Sequence, residues 1–246
     1  MTSYDFDRRN IEARFIKISN RYTSISPRAF EGHTDLTSIT IPNSVSEIGP
    51  YAFWGCSNLT SITIPDSVSE IDREVFKNCY NLYHVSITTS IKEIGDYAFS
   101  ECSKLSFINI PNSVTKIGDG AFCGCEKLSS ITMPTLISEI ADAAFRGCEK
   151  LTSITIPNSV TKIGSFAFDG CYGLFSVIIP NSVSEIGSHA FDCRLTLSSI
   201  TTLNPVAEPN YKVLLQAYKN VSQQYPVLFK VFEHEVLRLD PNFKFE

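Results

Sequence analysis

The cysteines are the residues whose types and spacing could most readily support chemistry. The chain has 246 residues with eight cysteines, and six of these recur at intervals of 23 residues: Cys56, Cys79, Cys102, Cys125, Cys148 and Cys171. Disulfide frameworks are typical of small, exported, loop-rich domains. A tetrahedral metal site would need a second close thiolate pair or a nearby histidine, and the only short spacing is Cys123-Gly124-Cys125. We therefore interpret the six as small buried side chains in a recurring corner, and we expect Cys123 and Cys193, outside the series, to be more exposed.

No other group of residues predicts catalysis. The four histidines, His33, His84, His189 and His234, are scattered along the sequence. None is placed for a catalytic triad or a metal cluster. The sequence has no glycine-rich phosphate loop, nucleophile elbow, zinc-protease motif or calcium loop. We therefore expect no enzymatic activity and no cofactor or metal.

Composition and charge narrow the possible partners. Hydrophobic residues make up 43% of the chain and charged residues 19%, as in ordinary globular proteins. The net charge of −5 gives no electrostatic reason to expect nucleic acid as a partner. The N-terminus lacks the apolar stretch of a secretory signal, and no apolar run approaches the roughly 20 residues of a membrane-spanning helix. We expect a soluble cytoplasmic protein with no membrane insertion; the alternative is a cell-surface or secreted protein exported by a non-classical route.

The elements that position these residues follow a strict 23-residue period. Leucine occurs at every step from position 36 to position 197. After each leucine the pattern Leu-x-x-Ile-x-Ile predicts a short strand with one buried face. A Val-x-x-Ile pair, a glycine such as Gly49 and an Ala-Phe pair such as Ala52-Phe53 follow in most repeats. We expect the chain to turn at that glycine. One repeat cannot bury its apolar face alone, so the repeats must stack into a solenoid with a continuous core.

The unit from Leu151 to Cys171, LTSITIPNSVTKIGSFAFDGC, closely resembles the BspA-type leucine-rich repeat. The resemblance covers residues 13–203. It implies an α/β-type repeat solenoid with a parallel β-sheet on the concave face and short helical or irregular turns on the convex face. It also implies binding to proteins or to host and matrix surfaces.

The two ends depart from the repeat. Residues 1–35 are predicted to form an N-terminal cap and a degenerate first repeat, with a short helix around residues 7–13. Residues 36–203 form the leucine-rich repeats. Residues 204–246 switch to a 3.6-residue period, with Pro209 and Pro226 placed to begin helices, and are predicted to form a helical C-terminal cap. The helices cover the last repeat or, alternatively, present one apolar stripe to a partner.

Candidate binding residues are those that replace the usual Ser or Thr at an exposed position of a strand. Tyr83, His84 and Phe107 lie on adjacent repeats, and Phe175 with Ile178 forms a second apolar spot. Exposed aromatic side chains on a rigid sheet are good anchors for a protein partner. We predict that Tyr83, His84 and Phe107 form the centre of a concave binding surface, unless Phe107 or Phe175 folds over a neighbouring repeat.

A second candidate is an acidic column formed by Glu47, Glu70 and Glu93, three acids at equivalent positions of successive repeats. Further along the chain the same position alternates between Lys and Glu. The three acids are either a patch that receives a basic partner or a cation, or a solvated edge.

These patterns together predict a non-catalytic protein-protein interaction module that binds a protein partner and is monomeric. Two alternatives remain open. One is a surface adhesin exported without a signal peptide, and the other is a self-associating structural solenoid.

Overall fold

A computed structural model of the chain describes residues 14–193, together with the backbone of Ser3–Tyr4 and Ser199–Thr202. Each repeat contributes one longer and one shorter strand. The longer strands are β2 (Phe15–Lys17), β4 (Ser38–Thr40), β6 (Ser61–Thr63), β8 (His84–Ser86), β10 (Phe107–Asn109), β12 (Ser130–Thr132), β14 (Ser153–Thr155), β16 (Ser176–Ile179) and β18 (Ser199–Thr202). The shorter strands are β1 (Ser3–Tyr4), β3 (Ser24–Ile25), β5 (Glu47–Ile48), β7 (Glu70–Ile71), β9 (Glu93–Ile94), β11 (Lys116–Ile117), β13 (Glu139–Ile140), β15 (Lys162–Ile163) and β17 (Glu185–Ile186).

Equivalent strands of successive repeats pair in parallel. The longer strands form the long-strand ladder, in three hydrogen-bonded segments: β2-β4-β6-β8, β10-β12 and β14-β16-β18. The shorter strands form the short-strand ladder: β1-β3-β5, β7-β9-β11 and β13-β15-β17. Pairing is in register with the 23-residue period, as in Ile62 beside Val85 and Ile154 beside Val177. Each core position therefore becomes a straight column.

The turn after each shorter strand is also held by bonds between repeats. The amides of Tyr51, Phe53 and Gly55 donate to the carbonyls of Arg73, Val75 and Lys77, at 3.2, 2.9 and 2.8 Å. The same pattern recurs down the chain, and we refer to it as the turn ladder. The fold is a parallel β-solenoid with three such ladders.

The prediction of helical turns is wrong. Within the described residues the solenoid has no helix. Every turn from Arg28 to Gly170 contains two residues in the left-handed region, such as Tyr51 with φ 61° and Gly55 with φ 72°, which a right-handed helix cannot accommodate. Alternate turn amides are bonded to the next repeat, and the amides between them, such as that of Trp54, donate to the carbonyl three residues back instead of four. The predicted helix around residues 7–13 and the helical cap over residues 204–246 lie outside the described residues, and nothing in the fold supports them.

Phenylalanine side chains form the central column of the core. Eight rings from Phe30 to Phe191 stack with centroids 5.1 to 5.6 Å apart, and each is buried. The column begins at Phe30, in the degenerate first repeat, where Ile18, Ile25 and Ala29 are also buried. Residues 14–35 thus form a complete turn of the solenoid below the first full repeat.

The cysteines do more than fill a corner. Each buried thiol donates to the carbonyl of a phenylalanine in the preceding repeat, as Cys56 Sγ does to Phe30 O at 3.1 Å and Cys125 Sγ to Phe99 O at 3.2 Å. Cys193, expected to be exposed, is buried and makes the same bond to Phe168 O at 3.2 Å. The loss of one residue from that turn brings Cys193 into the column. Cys123 is the one cysteine that is not buried.

Aspartate side chains extend the turn ladder in its middle. The amides of Asp119, Asp142 and Ser165 donate to the Oδ1 atom of the aspartate one repeat earlier, at 3.0, 3.2 and 2.7 Å. The equivalent residues in the first two repeats are Pro27 and Pro50, which have no amide hydrogen to satisfy. The amide hydrogen at this position is therefore either absent, as in proline, or bonded to the aspartate one repeat earlier.

The repeated glycine has a role that differs from the predicted one. Gly49 and Gly95 do not have positive φ; a Cβ on Gly95 would lie 2.7 Å from the amide nitrogen of Arg73. Glycine is needed there because the backbones of adjacent repeats approach closely. The left-handed residues are found two and six positions further on.

Non-glycine residues occupy one left-handed column almost throughout: Arg28, Tyr51, Glu74, Tyr97, Ala143, Phe166 and His189. Several of their side chains make stacking contacts along the turn ladder, some of them with an arginine outside the column. The Arg28 and Arg73 guanidinium groups lie 4.3 and 5.2 Å from the ring centre of Tyr51, and Phe166 stacks on His189 at 5.1 Å. These contacts offset a backbone cost of about 1 kcal/mol or more per residue.

The alkaline stability of the fold is expected to depend on the buried thiols. Burial raises the pKa of Cys56 from 9.0 to about 12, and it raises the pKa of Cys79, Cys102 and Cys148 well above 9.0. Above pH 9 the unfolded chain releases protons that the folded chain retains, so stability is complete below pH 9 and falls towards pH 12. Each thiol contributes a slope of about 1.4 kcal/mol per pH unit.

We therefore expect the free energy of unfolding, measured with denaturant under reducing conditions, to fall steeply between pH 9 and pH 10. Replacing Cys125 with Ser retains a hydrogen-bond donor for the Phe99 carbonyl and should reduce that slope by the contribution of one thiol. A flat profile across this range would contradict the account.

Gly120 is the only glycine in the column that contains Tyr51 and Tyr97, and the ring of Tyr97 lies where its Cβ would be. Gly120→Ala should lower the free energy of unfolding by about 1–2 kcal/mol. Ala143→Gly at the equivalent position two repeat steps from Tyr97 should be neutral or stabilising by up to about 1 kcal/mol. Thermal unfolding of the two variants tests this; a cost of Gly120→Ala no larger than the gain from Ala143→Gly would mean that the Tyr97 ring imposes no constraint.

Candidate functional site

The exposed side chains of the longer strands are here termed the long-strand face, and from β4 to β16 this face is uncharged. From β4 to β16 these strands contain no Asp, Glu, Lys or Arg, and most outward positions are Ser or Thr. Neighbouring strands in such a ladder lie about 4.8 Å apart. The result is a rigid face of small hydroxyl groups, against which any large side chain stands out.

The structure brings Tyr83, His84 and Phe107 together. His84 begins β8 and Phe107 begins β10, so the two occupy the same position of adjacent repeats, while Tyr83 directly precedes His84. Tyr83 is 55% exposed and Phe107 51% exposed, and His84 is also exposed. Phe107 therefore does not fold into a neighbouring repeat. This group lies where the hydrogen-bonded pairing of the ladder is interrupted between β8 and β10.

The second predicted spot lies on the same face. Phe175 precedes β16 and Ile178 is within it, with Thr155 of β14 and Thr201 of β18 in register beside Ile178. Phe175 is 64% exposed and Ile178 53% exposed. Both positions are Ser or Thr in most other repeats.

Sequence reasoning missed a third apolar spot, Phe15. It begins β2, pairs with Ser38, and continues through Ser61 to His84 in the same column. Phe15 is 79% exposed, more than any other large hydrophobic side chain in the described part of the chain. The 23-residue register could have found it, because subtracting one period from Ser38 gives position 15.

The acidic residues form a separate surface. Glu47, Glu70 and Glu93 begin β5, β7 and β9 of the short-strand ladder, and all three are exposed. Glu70 pairs with Glu93 and Glu93 with Lys116, so the acidic run ends at that lysine. Among the described residues no three His, Cys, Asp or Glu side chains form a group suited to a metal ion. The acids do not join Tyr83, His84 and Phe107 in one site.

Three hydrogen-bonded ladders and a continuous column of stacked rings define a leucine-rich repeat solenoid. The chain belongs to the BspA type leucine rich repeat region family, whose model matches residues 1–128 and 92–219.

Solved structures of bacterial leucine-rich repeat proteins are similar to it. One from Bacteroides ovatus is 33% identical, with a TM-score of 0.68, over 77% of this chain and 57% of that protein. The Leucine Rich Repeat protein of T. pallidum is 26% identical, with a TM-score of 0.55, over 76% of this chain and 78% of that one. The chain thus spans little more than half of the Bacteroides protein. No match was found among curated proteins. No helix in the described part of the chain is long and apolar enough to cross a membrane.

The short-strand ladder allows a test of its cross-strand charges. Glu70→Lys would place a cation between Glu47 and Glu93 and should raise the free energy of unfolding by a few tenths of a kcal/mol at low salt. Lys162→Glu, between Glu139 and Glu185, should lower it by a similar amount. Both effects should shrink in high salt. Denaturant titrations at two salt concentrations would show this; effects of the same sign would contradict it.

Proposed function

We propose that this chain is a non-catalytic protein-binding module that holds its partner on the long-strand face, with Tyr83, His84 and Phe107 at the centre of the contact. The observation that carries the proposal is the exposure of about half of the Tyr83 and Phe107 side chains on adjacent repeats of a rigid, charge-free face.

The chemistry of this face supports a protein partner. Cores of protein interfaces are depleted in charged residues and enriched in aromatic ones, and a few anchors contribute most of the binding energy. Side chains attached to a hydrogen-bonded ladder lose little conformational freedom on binding. Nucleic acid is a poor fit, because phosphate contacts require Lys or Arg, and the strands from β4 to β16 have neither.

The acidic short-strand ladder is the competing surface on the same chain. A partner held there would depend on charge, whereas a partner held on the long-strand face would depend on apolar contact. The two possibilities can therefore be separated with matched variants.

The test compares capture of partners by the intact chain, by a variant with Tyr83, His84 and Phe107 all replaced by Ser, and by a variant with Glu47, Glu70 and Glu93 all replaced by Gln. We expect the Ser variant to bind a captured partner at least about a hundredfold more weakly. We also expect its melting temperature to stay close to that of the intact chain, because all three side chains are exposed.

The Gln variant should bind as the intact chain does. Loss of binding in the Gln variant alone would move the site to the acidic ladder. Unchanged capture by the Ser variant would overturn the proposal.

A further inference from the structure

The edge of the long-strand face carries a column of three lysines, here termed the lysine edge. Lys104, Lys127 and Lys150 directly precede the core leucines of three successive repeats, and all three are exposed. Their amides donate to carbonyls of the preceding repeat at 3.2, 3.3 and 3.1 Å, so the lysine edge is held by hydrogen bonds between repeats. The equivalent positions of the three earlier repeats have no basic residue: Asp35, Asn58 and Asn81.

The lysine edge begins beside the aromatic group of the proposed function. Lys104 is three residues before Phe107, which is at most about 11 Å of extended chain. The Lys104 amide donates to the carbonyl of Tyr80. Tyr80 has an exposed side chain and lies three residues before Tyr83. The lysines and the aromatic side chains therefore belong to one continuous surface.

The lysine edge is not neutralised by an ion pair. None of the ion pairs among the described residues includes Lys104, Lys127 or Lys150. Glu126 and Glu149 directly precede two of them, so three lysines stand against two glutamates and the edge stays positive, although the chain has a net charge of −5. Like charges one repeat apart, about 5 Å, repel each other. A bound anion would relieve that repulsion.

We propose that the partner places an acidic, extended segment along the lysine edge, with one aromatic or large aliphatic side chain held by Tyr83, His84 and Phe107. This inference rests on the proposed function and adds the chemistry of the partner to it. Charge complementarity determines the choice, because ammonium groups in a fixed column are matched by carboxylates at a similar spacing. The Ser and Thr hydroxyl groups of β12 and β14 lie beside the lysine edge and can bond to the backbone of the segment.

The dimensions of the lysine edge set the length of the segment. Two repeat steps from Lys104 to Lys150 cover about 10 Å, and an extended chain advances about 3.3 Å per residue, so about three residues span the edge. The apolar residue lies at the Lys104 end, because the aromatic group precedes the lysines. The matching sequence is one large apolar residue next to a few residues that include at least two Asp or Glu. Such a short segment suits a narrow strand face better than a folded domain does.

A single-stranded nucleic acid is the other polyanion that could combine stacking with lysine contacts. It carries a phosphate charge at every unit and would therefore also meet Glu126 and Glu149, which repel it. A peptide can place its carboxylates beside the lysines and uncharged residues beside the two glutamates. The arrangement of charges thus favours an acidic peptide.

The first test selects random displayed peptides of about seven residues for binding to the immobilised whole chain at low salt. We expect the selected sequences to combine one aromatic or large aliphatic residue with at least two Asp or Glu close to it. Recovery of peptides without enriched acids, recovery of peptides enriched in Lys and Arg, or recovery of none would overturn the proposal.

The second test measures the affinity of a selected peptide in solution by fluorescence anisotropy. Replacing Lys104, Lys127 and Lys150 together by Gln should weaken binding about tenfold at low salt, because three exposed charge contacts are lost. The loss should shrink at high salt.

A matched control replaces by Gln three exposed lysines on the other side of the repeat: Lys92, Lys116 and Lys162. This control changes the net charge by the same amount and should leave the affinity within about twofold of the intact chain. Equal weakening in the two triple variants would reflect net charge alone and would overturn the proposal.

Charge reversal tests for direct contact. With Glu at positions 104, 127 and 150 the chain should lose the selected peptide and should bind a version of that peptide in which each acid is replaced by Lys. Absence of that rescue would overturn the assignment of the acids to the lysine edge. Oligothymidylate should bind more weakly than the selected peptide. Tighter binding of oligothymidylate would assign the edge to nucleic acid and overturn the proposal.

The acidic-segment inference and the proposed function fail in different ways. If the inference alone is wrong, replacing Tyr83, His84 and Phe107 by Ser abolishes binding of the selected peptide, while replacing the lysine edge by Gln leaves it unchanged. If the proposed function is wrong, the Gln substitutions in the lysine edge weaken binding, while the Ser substitutions in the aromatic group have no effect.

Discussion

Hydrogen bonds between successive repeats hold this structure together, because no repeat can satisfy its own backbone or bury its own apolar side chains. The turn ladder and the segments of the long-strand and short-strand ladders together connect successive repeats. Their common spacing places Phe30 to Phe191 in one stack and brings each buried thiol within reach of the preceding phenylalanine carbonyl. Stability in such an array is a sum of local terms between neighbours.

The same spacing creates the surfaces. A side chain at a given position of one repeat lies beside its equivalents in the next, so a substitution in one repeat changes a continuous column. On the long-strand face Ser and Thr are interrupted by Phe15, by the Tyr83, His84 and Phe107 group and by Phe175 and Ile178. On the turn ladder Arg, Tyr, Phe and His stack over left-handed residues. Rigidity is the physical advantage of such a face, since anchors lose little entropy when a partner binds.

The identities of several residues can be explained only by their contacts with the neighbouring repeat. Gly95 is small because the backbone of the preceding repeat lies against it. Gly120 has no side chain because the Tyr97 ring occupies that space. Pro27 and Pro50 have no amide hydrogen at this position. In later repeats the equivalent amide donates to Asp96, Asp119 or Asp142 of the preceding repeat. Each of these residues looks like an independent variation in the sequence, yet each responds to a neighbour one repeat away.

The 23-residue period was sufficient to predict the solenoid, the parallel register, the buried columns and the leucine-rich repeat family, because core positions repeat with the same chemistry. It also identified Tyr83, His84, Phe107, Phe175 and Ile178 as departures on the exposed strand positions. It could not predict the conformation of the turns or the burial of Cys193. The turn conformation and the burial of Cys193 depend on hydrogen bonds to neighbouring repeats and on left-handed residues such as Tyr51. No local sequence pattern predicts these bonds or these backbone angles. Whether Phe107 lay flat or stood out was likewise decided by packing between repeats in the folded stack.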